Sequence, residues 1–264
     1  MNIETVTLGI VQGLTEFIPV SSSGHLVLVT ELFGAQANHL FIQTLDIGTF
    51  LALVIFFRAR ILHILREIFI ERNFRFARNI ILTALPVGAI GFLLGDIIES
   101  STVLVAPLTV ATMLAIIGIV MIFLEKLPKL SRRADGEKLS WQRALAIGGL
   151  QVISLIPGSS RSGTTIIGGR LAGLNARAAA EYSFLVSIPI MAGLVLKLLV
   201  KDSSFMVLDW QNVLVGNIFA FLSGIIAINF LLDFLSKHDL KAFGIYRVVL
   251  SVAIIVLISV GVLQ

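Results

Sequence analysis

Cysteine is absent from this chain of 264 residues. That excludes disulfides, a thiolate nucleophile, iron–sulfur clusters and cysteine-ligated zinc. Histidine is nearly as scarce: His25, His39, His63 and His238 lie far apart, which argues against a histidine-rich metal centre. Any metal is therefore expected to be a hard cation bound through oxygen. Charge is the third deficit. Asp, Glu, Lys and Arg make up 14% of the chain, against about 25% in ordinary soluble domains, too little to cover a soluble domain of this length. Met1 to Ile10 carries Glu4 and no basic run, so no cleavable signal peptide is expected.

What is abundant is apolar: 57% of residues are hydrophobic and the mean hydropathy is +0.99. The chain is expected to be an all-α, polytopic membrane protein, a single integral membrane domain over 1–264. The excess of 20 basic over 16 acidic residues fits anionic lipid headgroups better than nucleic acid, because no Lys/Arg-rich aromatic run accompanies it. A bilayer core requires roughly 20 apolar residues per helix, and six stretches meet that test: Leu40 to Phe57, Ile80 to Ile98, Val103 to Leu124, Ala178 to Val200, Val213 to Leu235 and Phe243 to Leu263. Two further apolar regions are broken. Ile3 to Phe33 is interrupted at Pro19 and Ser21 to Gly24, and Ala144 to Leu174 at Pro157 to Gly163. Each half is too short to span, the signature of a re-entrant helical hairpin.

The broken regions resemble each other. An offset of 139 residues lays Gln12 on Gln151, Ser21 on Ser160, Ser23 on Ser162 and Gly24 on Gly163. The chain thus divides into repeats of about 1–130 and 131–264, each a hairpin followed by three transmembrane helices. Arg58, Arg60, Arg66, Arg72, Arg75 and Arg78 mark one loop as cytoplasmic, Lys126, Lys129, Arg132, Arg133, Lys138 and Arg143 a second, and Lys237, Lys241 and Arg247 a third. The loops near Glu99 to Thr102 and Lys201 to Asp209 are poor in basic residues and are assigned outside. On this count the first hairpin enters from outside and the second from the cytoplasm. Three spans separate similar units, so the repeats are inverted, and inverted repeats with broken helices place a site near the midplane where the tips meet.

The tips hold the polar residues a bilayer penalises. Gln12 and Glu16, four apart, share a helical face and are placed to hold one ligand. A carboxylate at that depth requires a partner or a cation, and the plainer alternative is an ion pair between Glu16 and Arg161. Ser21, Ser22, Ser23 and Gly24 read as a helix cap or, with His25 close to Ser22, as a hydroxyl and imidazole suited to nucleophilic chemistry. In the second tip Gly158 and Gly163 permit close backbone approach, the helix start favours an anion, Arg161 matches phosphate with a planar fork, and Ser160, Ser162 and Thr165 add hydroxyl donors. A carboxylate facing an anion cradle points to phosphoryl transfer, and a site flanked by hydrocarbon points to a substrate with a lipid tail. A transporter or flippase of anionic prenyl lipids is the rival, because the architecture is above all a transporter's.

These two motifs resemble those of the bacterial undecaprenyl-diphosphate phosphatases, or bacitracin-resistance proteins. Their first motif is met here by Gln12 to His25, and their second, Pro-Gly-x-Ser-Arg-Ser-Gly-x-Thr, by Pro157 to Thr165 at every fixed position. The resemblance covers the whole chain. It implies hydrolysis of undecaprenyl diphosphate at the bacterial cell membrane, at a site opening to the outer face, with a divalent cation, Mg²⁺ or Ca²⁺. It further implies that Gln12 and Glu16 serve the metal or the attacking group, Ser22 is the nucleophile, His25 is the acid or base, and Arg161 clamps the diphosphate with Ser160, Ser162 and Thr165. Many members carry Glu where Gln12 stands here. Asp46 and Glu181, expected to be buried in the spans that follow the hairpins, are candidates to supply that charge.

Overall fold

The computed structural model describes residues 2–33, 39–127, 136–201 and 209–263. Lys129, Arg132 and Arg133, counted above toward a cytoplasmic loop, lie outside the described residues, as does most of the loop from Lys201 to Asp209. Among the described residues there are eleven α-helices and no strand. The first broken region forms α1 (Ile3–Phe17) and α2 (Ser22–Leu32); α3 (His39–Phe56), α4 (Arg58–Phe69), α5 (Arg75–Ser100) and α6 (Pro107–Leu124) follow. The second forms α7 (Trp141–Gln151) and α8 (Arg161–Leu171), followed by α9 (Ala176–Lys201), α10 (Trp210–Lys237) and α11 (Lys241–Ser259). Asn2, Ser140 and Asp209 cap α1, α7 and α10 with side-chain oxygens on backbone N–H groups, and Pro107 opens α6.

Length separates the elements into two kinds. α5, α6, α9, α10 and α11 are long and apolar enough to cross a membrane. α2, α7 and α8 have 11 residues each, about 17 Å at 1.5 Å per residue, and cannot cross alone. α3 has 18 residues, and the chain then bends by 68° into α4, whose one face carries Arg58 and Arg66 while Leu62 and Phe69 are exposed. The chain is a multi-pass membrane protein. Its outer shell is correspondingly apolar, with Phe92 82% and Val200 78% exposed, positions that water would penalise and lipid does not.

The packing has a reciprocal pattern. α1 packs on α10 and α7 on α5; α3 packs on α10 and α9 on α5; α3 meets α9, and α6 meets α11. Exchanging the halves of the chain maps this set of pairs onto itself. The α6–α11 crossing is close because Gly118 and Gly244 face each other: a Cβ on Gly244 would lie 2.6 Å from the Gly118 carbonyl oxygen. One assignment from the sequence is corrected here. Arg247 belongs to no loop: it sits inside α11 and is fully buried.

Candidate active site

Both tips are shaped by the same local sequence logic. A residue preceding proline is steered out of the helical region, and Ile18 before Pro19 and Ile156 before Pro157 are both extended, with ψ of 133° and 121°. The chain restarts each helix from a serine at positive φ, Ser21 at 74° and Ser160 at 72°, a backbone that non-glycine residues rarely adopt. These are the positions that the 139-residue offset superposes. Each serine is bridged to the serine two residues on, Ser21 Oγ to Ser23 Oγ at 2.9 Å and Ser160 Oγ to Ser162 Oγ at 3.1 Å. Gly158, at φ +91°, leaves no room for a side chain, since a Cβ would come 2.4 Å from the Val110 carbonyl oxygen.

The tips meet. The Gly158 N–H donates to Ser23 Oγ at 3.0 Å, and Arg161 is paired with Glu16. Glu16 is the hub: Oε1 accepts from Arg161 Nη2, while Oε2 accepts from Ser22 Oγ at 2.9 Å and from Gln12 Nε2 at 3.3 Å. The Gln12 amide also donates to Asp46 Oδ1 at 2.8 Å, which draws a second carboxylate into the cluster from α3. Only one guanidinium nitrogen is engaged with Glu16, so Arg161 keeps N–H donors for a ligand. The arrangement can hold an anion at Arg161, and it sets a hydroxyl against the carboxylate able to take its proton.

Several expected site residues stand elsewhere. His25 does not pair with Ser22. Its Nδ1 lies 2.7 Å from the Ser21 carbonyl and its Nε2 2.7 Å from the Tyr246 hydroxyl. Since a carbonyl can only accept, the neutral ring carries its proton on Nδ1 and receives the tyrosine O–H at Nε2. Thr165 donates to the Arg161 carbonyl at 2.9 Å, the back-bond to residue i−4 that helical threonines readily make, and Ser162 and Gly163 are buried in α8. Glu181 is not buried with Gln12: it pairs with Arg177 at 3.1 Å, 41% exposed, beside a separate cavity of about 640 Å³ near Arg60 and Glu137. Asp46, and not Glu181, is the acid brought to Gln12. Tyr246 and Arg247 were missed, although an arginine inside the apolar stretch from Phe243 to Leu263 was visible as an anomaly.

The polar cluster closes one end of a cavity of about 590 Å³. Glu16, Ser21, Ser22, Ser23, Ser160 and Arg161 face into it, and the walls run between α5 and α9 past Leu85, Phe92, Ile190 and Leu194 toward Lys197. An ionic head and an apolar slot in one continuous space define a membrane protein that handles an amphiphilic anion.

Comparison with known proteins makes this specific. The family model described as "Bacitracin resistance protein BacA" matches residues 5–253, and the chain belongs to that family. It is 38% identical over 257 residues, 95% of this chain and 96% of the relative, to the undecaprenyl-diphosphatase of Sulfurihydrogenibium sp. (strain YO3AOP1). It is 40% identical over 269 residues, 96% and 94% of the two chains, to undecaprenyl-diphosphatase 1 of Clostridioides difficile (strain 630). The undecaprenyl-diphosphatase of Neisseria meningitidis serogroup C (strain 053442) is 37% identical over 263 residues, 97% and 94% of the two chains.

Proposed function

We infer that this chain is an undecaprenyl-diphosphate phosphatase. It hydrolyses undecaprenyl diphosphate to undecaprenyl phosphate and inorganic phosphate, which recycles the lipid carrier for cell-wall synthesis and gives bacitracin resistance. The observation that carries the reading is the contact of Ser22 Oγ and Arg161 with one carboxylate, Glu16, at the polar end of an apolar slot. The diphosphate lies against Arg161 and the tip serines, and the prenyl chain follows the slot between α5 and α9.

Ser22 is the nucleophile in this reading. Its Oγ gives its proton to Glu16 and bonds to the terminal phosphorus, the bond from that phosphorus to the bridging oxygen breaks, and undecaprenyl phosphate departs carrying the bridging oxygen. Glu16 passes that proton to the departing phosphate and, a carboxylate once more, takes one from the water that cleaves the phosphoserine and releases inorganic phosphate. Arg161 steadies the phosphoryl oxygens as charge shifts. His25, bound to the Ser21 carbonyl and Tyr246, holds the first tip against α11.

A divalent cation fits the donor set. Gln12 Oε1 is buried without a hydrogen-bond partner, and Glu16, Asp46 and Ser22 add further oxygens, the ligands hard cations take. Among the described residues no group of three or more His, Cys, Asp or Glu is arranged for a metal. Two carboxylates and an amide oxygen are enough for Mg²⁺, which completes its shell with water and substrate phosphate, and Ca²⁺ takes the same oxygen ligands. When bound, the cation neutralises charge on the diphosphate. The reciprocal helix pairing and the two matched serine restarts support an inverted repeat. With arginines clustered around α4, these features support a slot that opens to the outer face.

The deciding experiment is phosphate release from a long-chain prenyl diphosphate by purified protein in detergent. Release that is abolished by Arg161→Ala and by Glu16→Ala is expected. No release with any cation leaves the lipid flippase as the function.

A further inference from the structure

Arg247 is the bulkiest side chain among the fully buried ones, and the close α6–α11 crossing sets it beneath both tips. Nη1 donates to the Pro19 carbonyl at 3.2 Å, and Nη2 donates to the carbonyls of Gly158 at 2.6 Å and Ser159 at 3.1 Å. Nε has no partner, and among the described residues the guanidinium forms no ion pair. Burying such a charge at membrane depth costs several kcal/mol, and among the described residues its hydrogen-bond partners are these carbonyls alone. Those carbonyls lie where the helices are broken, so each would otherwise lack a backbone donor.

The bonds that join the tips directly are also ones a substrate must disturb. Arg161 has to share its guanidinium between Glu16 and the diphosphate, and Ser23, which holds the Gly158 N–H, faces the cavity. The contacts of Arg247 come from behind, out of the substrate's reach. We propose that Arg247 is a positioning residue: it locks the two hairpin tips in the register that sets Ser22 and Glu16 opposite Arg161 while the direct tip-to-tip bonds are exchanged for substrate. A lysine keeps the charge but is a point donor, without the planar fork that spans carbonyls on two separate tips.

The test uses full-length Arg247→Lys and Arg247→Gln. Amide hydrogen exchange measures the brace without reference to activity, and kinetics measure its consequence, which alone rests on the phosphatase reading. In Arg247→Lys, exchange in peptides covering residues 17–25 and 156–163 is expected to quicken about tenfold while α10 is unchanged. The same variant should lose about tenfold or more in kcat with KM held within about threefold. Wild-type exchange at both tips overturns the brace whatever the activity. Faster exchange spread equally over α5 and α10 reveals general loosening and also overturns it. Tip exchange quickened with kcat unchanged overturns the link to the reaction. If Arg247→Gln does not fold, Arg247→Lys carries the test alone. If wild-type protein releases no phosphate, the phosphatase reading fails while the exchange data still decide the brace.

Discussion

At the scale of single residues, the polar contacts of the two tips converge on one carboxylate. Glu16 holds Ser22, Gln12 and Arg161 together, so Glu16→Gln preserves size while removing the proton acceptor, and kcat should fall by about 10²- to 10⁴-fold, the usual worth of a general base. Asp46 has a different part. Its tie to Gln12 places its charge where a cation would sit, so Asp46→Asn should raise the half-saturating Mg²⁺ concentration by about tenfold, as the loss of roughly 1.4 kcal/mol of attraction dictates. Unchanged activity and unchanged cation dependence would remove Asp46 from the site. The placement of these residues was legible to different degrees in the sequence. Gln12 and Glu16 follow from helical spacing and Arg161 from the cost of a charge at depth. The partners of His25 were not legible, because proximity in sequence does not fix where an imidazole points: the carbonyl one turn back and Tyr246, more than 200 residues away, engage both ring nitrogens.

At the scale of elements, the hairpins share a framework and differ in what they carry. The offset that superposes Ser21 on Ser160, with the same positive φ, also sets Ser22 opposite Arg161 and Glu16 opposite Leu155. One tip thus presents hydroxyl and base and the other presents the cation. Gln151, the counterpart of Gln12, is left buried with neither side-chain polar atom bonded. The broken helices were readable because proline and glycine interrupt apolar runs. That Arg247 would tie both tips was not, because the contact depends on how α11 crosses α6. The slot between α5 and α9 gives a prediction of its own. Gly193 lines it, and a Cβ there would meet nothing within 4 Å, so Gly193→Phe adds bulk to the slot from a position where a side chain has room to start. KM for a long-chain prenyl diphosphate should rise by about tenfold, whereas a short-chain analogue that ends before Gly193 should keep its wild-type KM. Equal effects on both would place the chain elsewhere.

At the scale of the whole molecule, the proposed opening of the slot to the outer face is a claim about topology. The polar cluster lies at one end and the walls extend past Phe92 toward Lys197, that is, toward the ends of α5 and α9 that the sparse basic charge assigns to the outer face. The opposite ends bear Glu71, beside the α4 arginines, and Asp239, between α10 and α11, both exposed. A chain without cysteine lets this be read with single thiols and no background. Thr102→Cys, just beyond α5, should react in intact cells with a maleimide that does not cross membranes. Glu71→Cys and Asp239→Cys should react only after permeabilisation. The reverse pattern would turn the molecule over and place the diphosphate head on the cytoplasmic route. Labelling of Thr102→Cys alone fixes the slot toward the outer face, and a substrate lying in the outer leaflet then reaches Arg161 without its head crossing the bilayer.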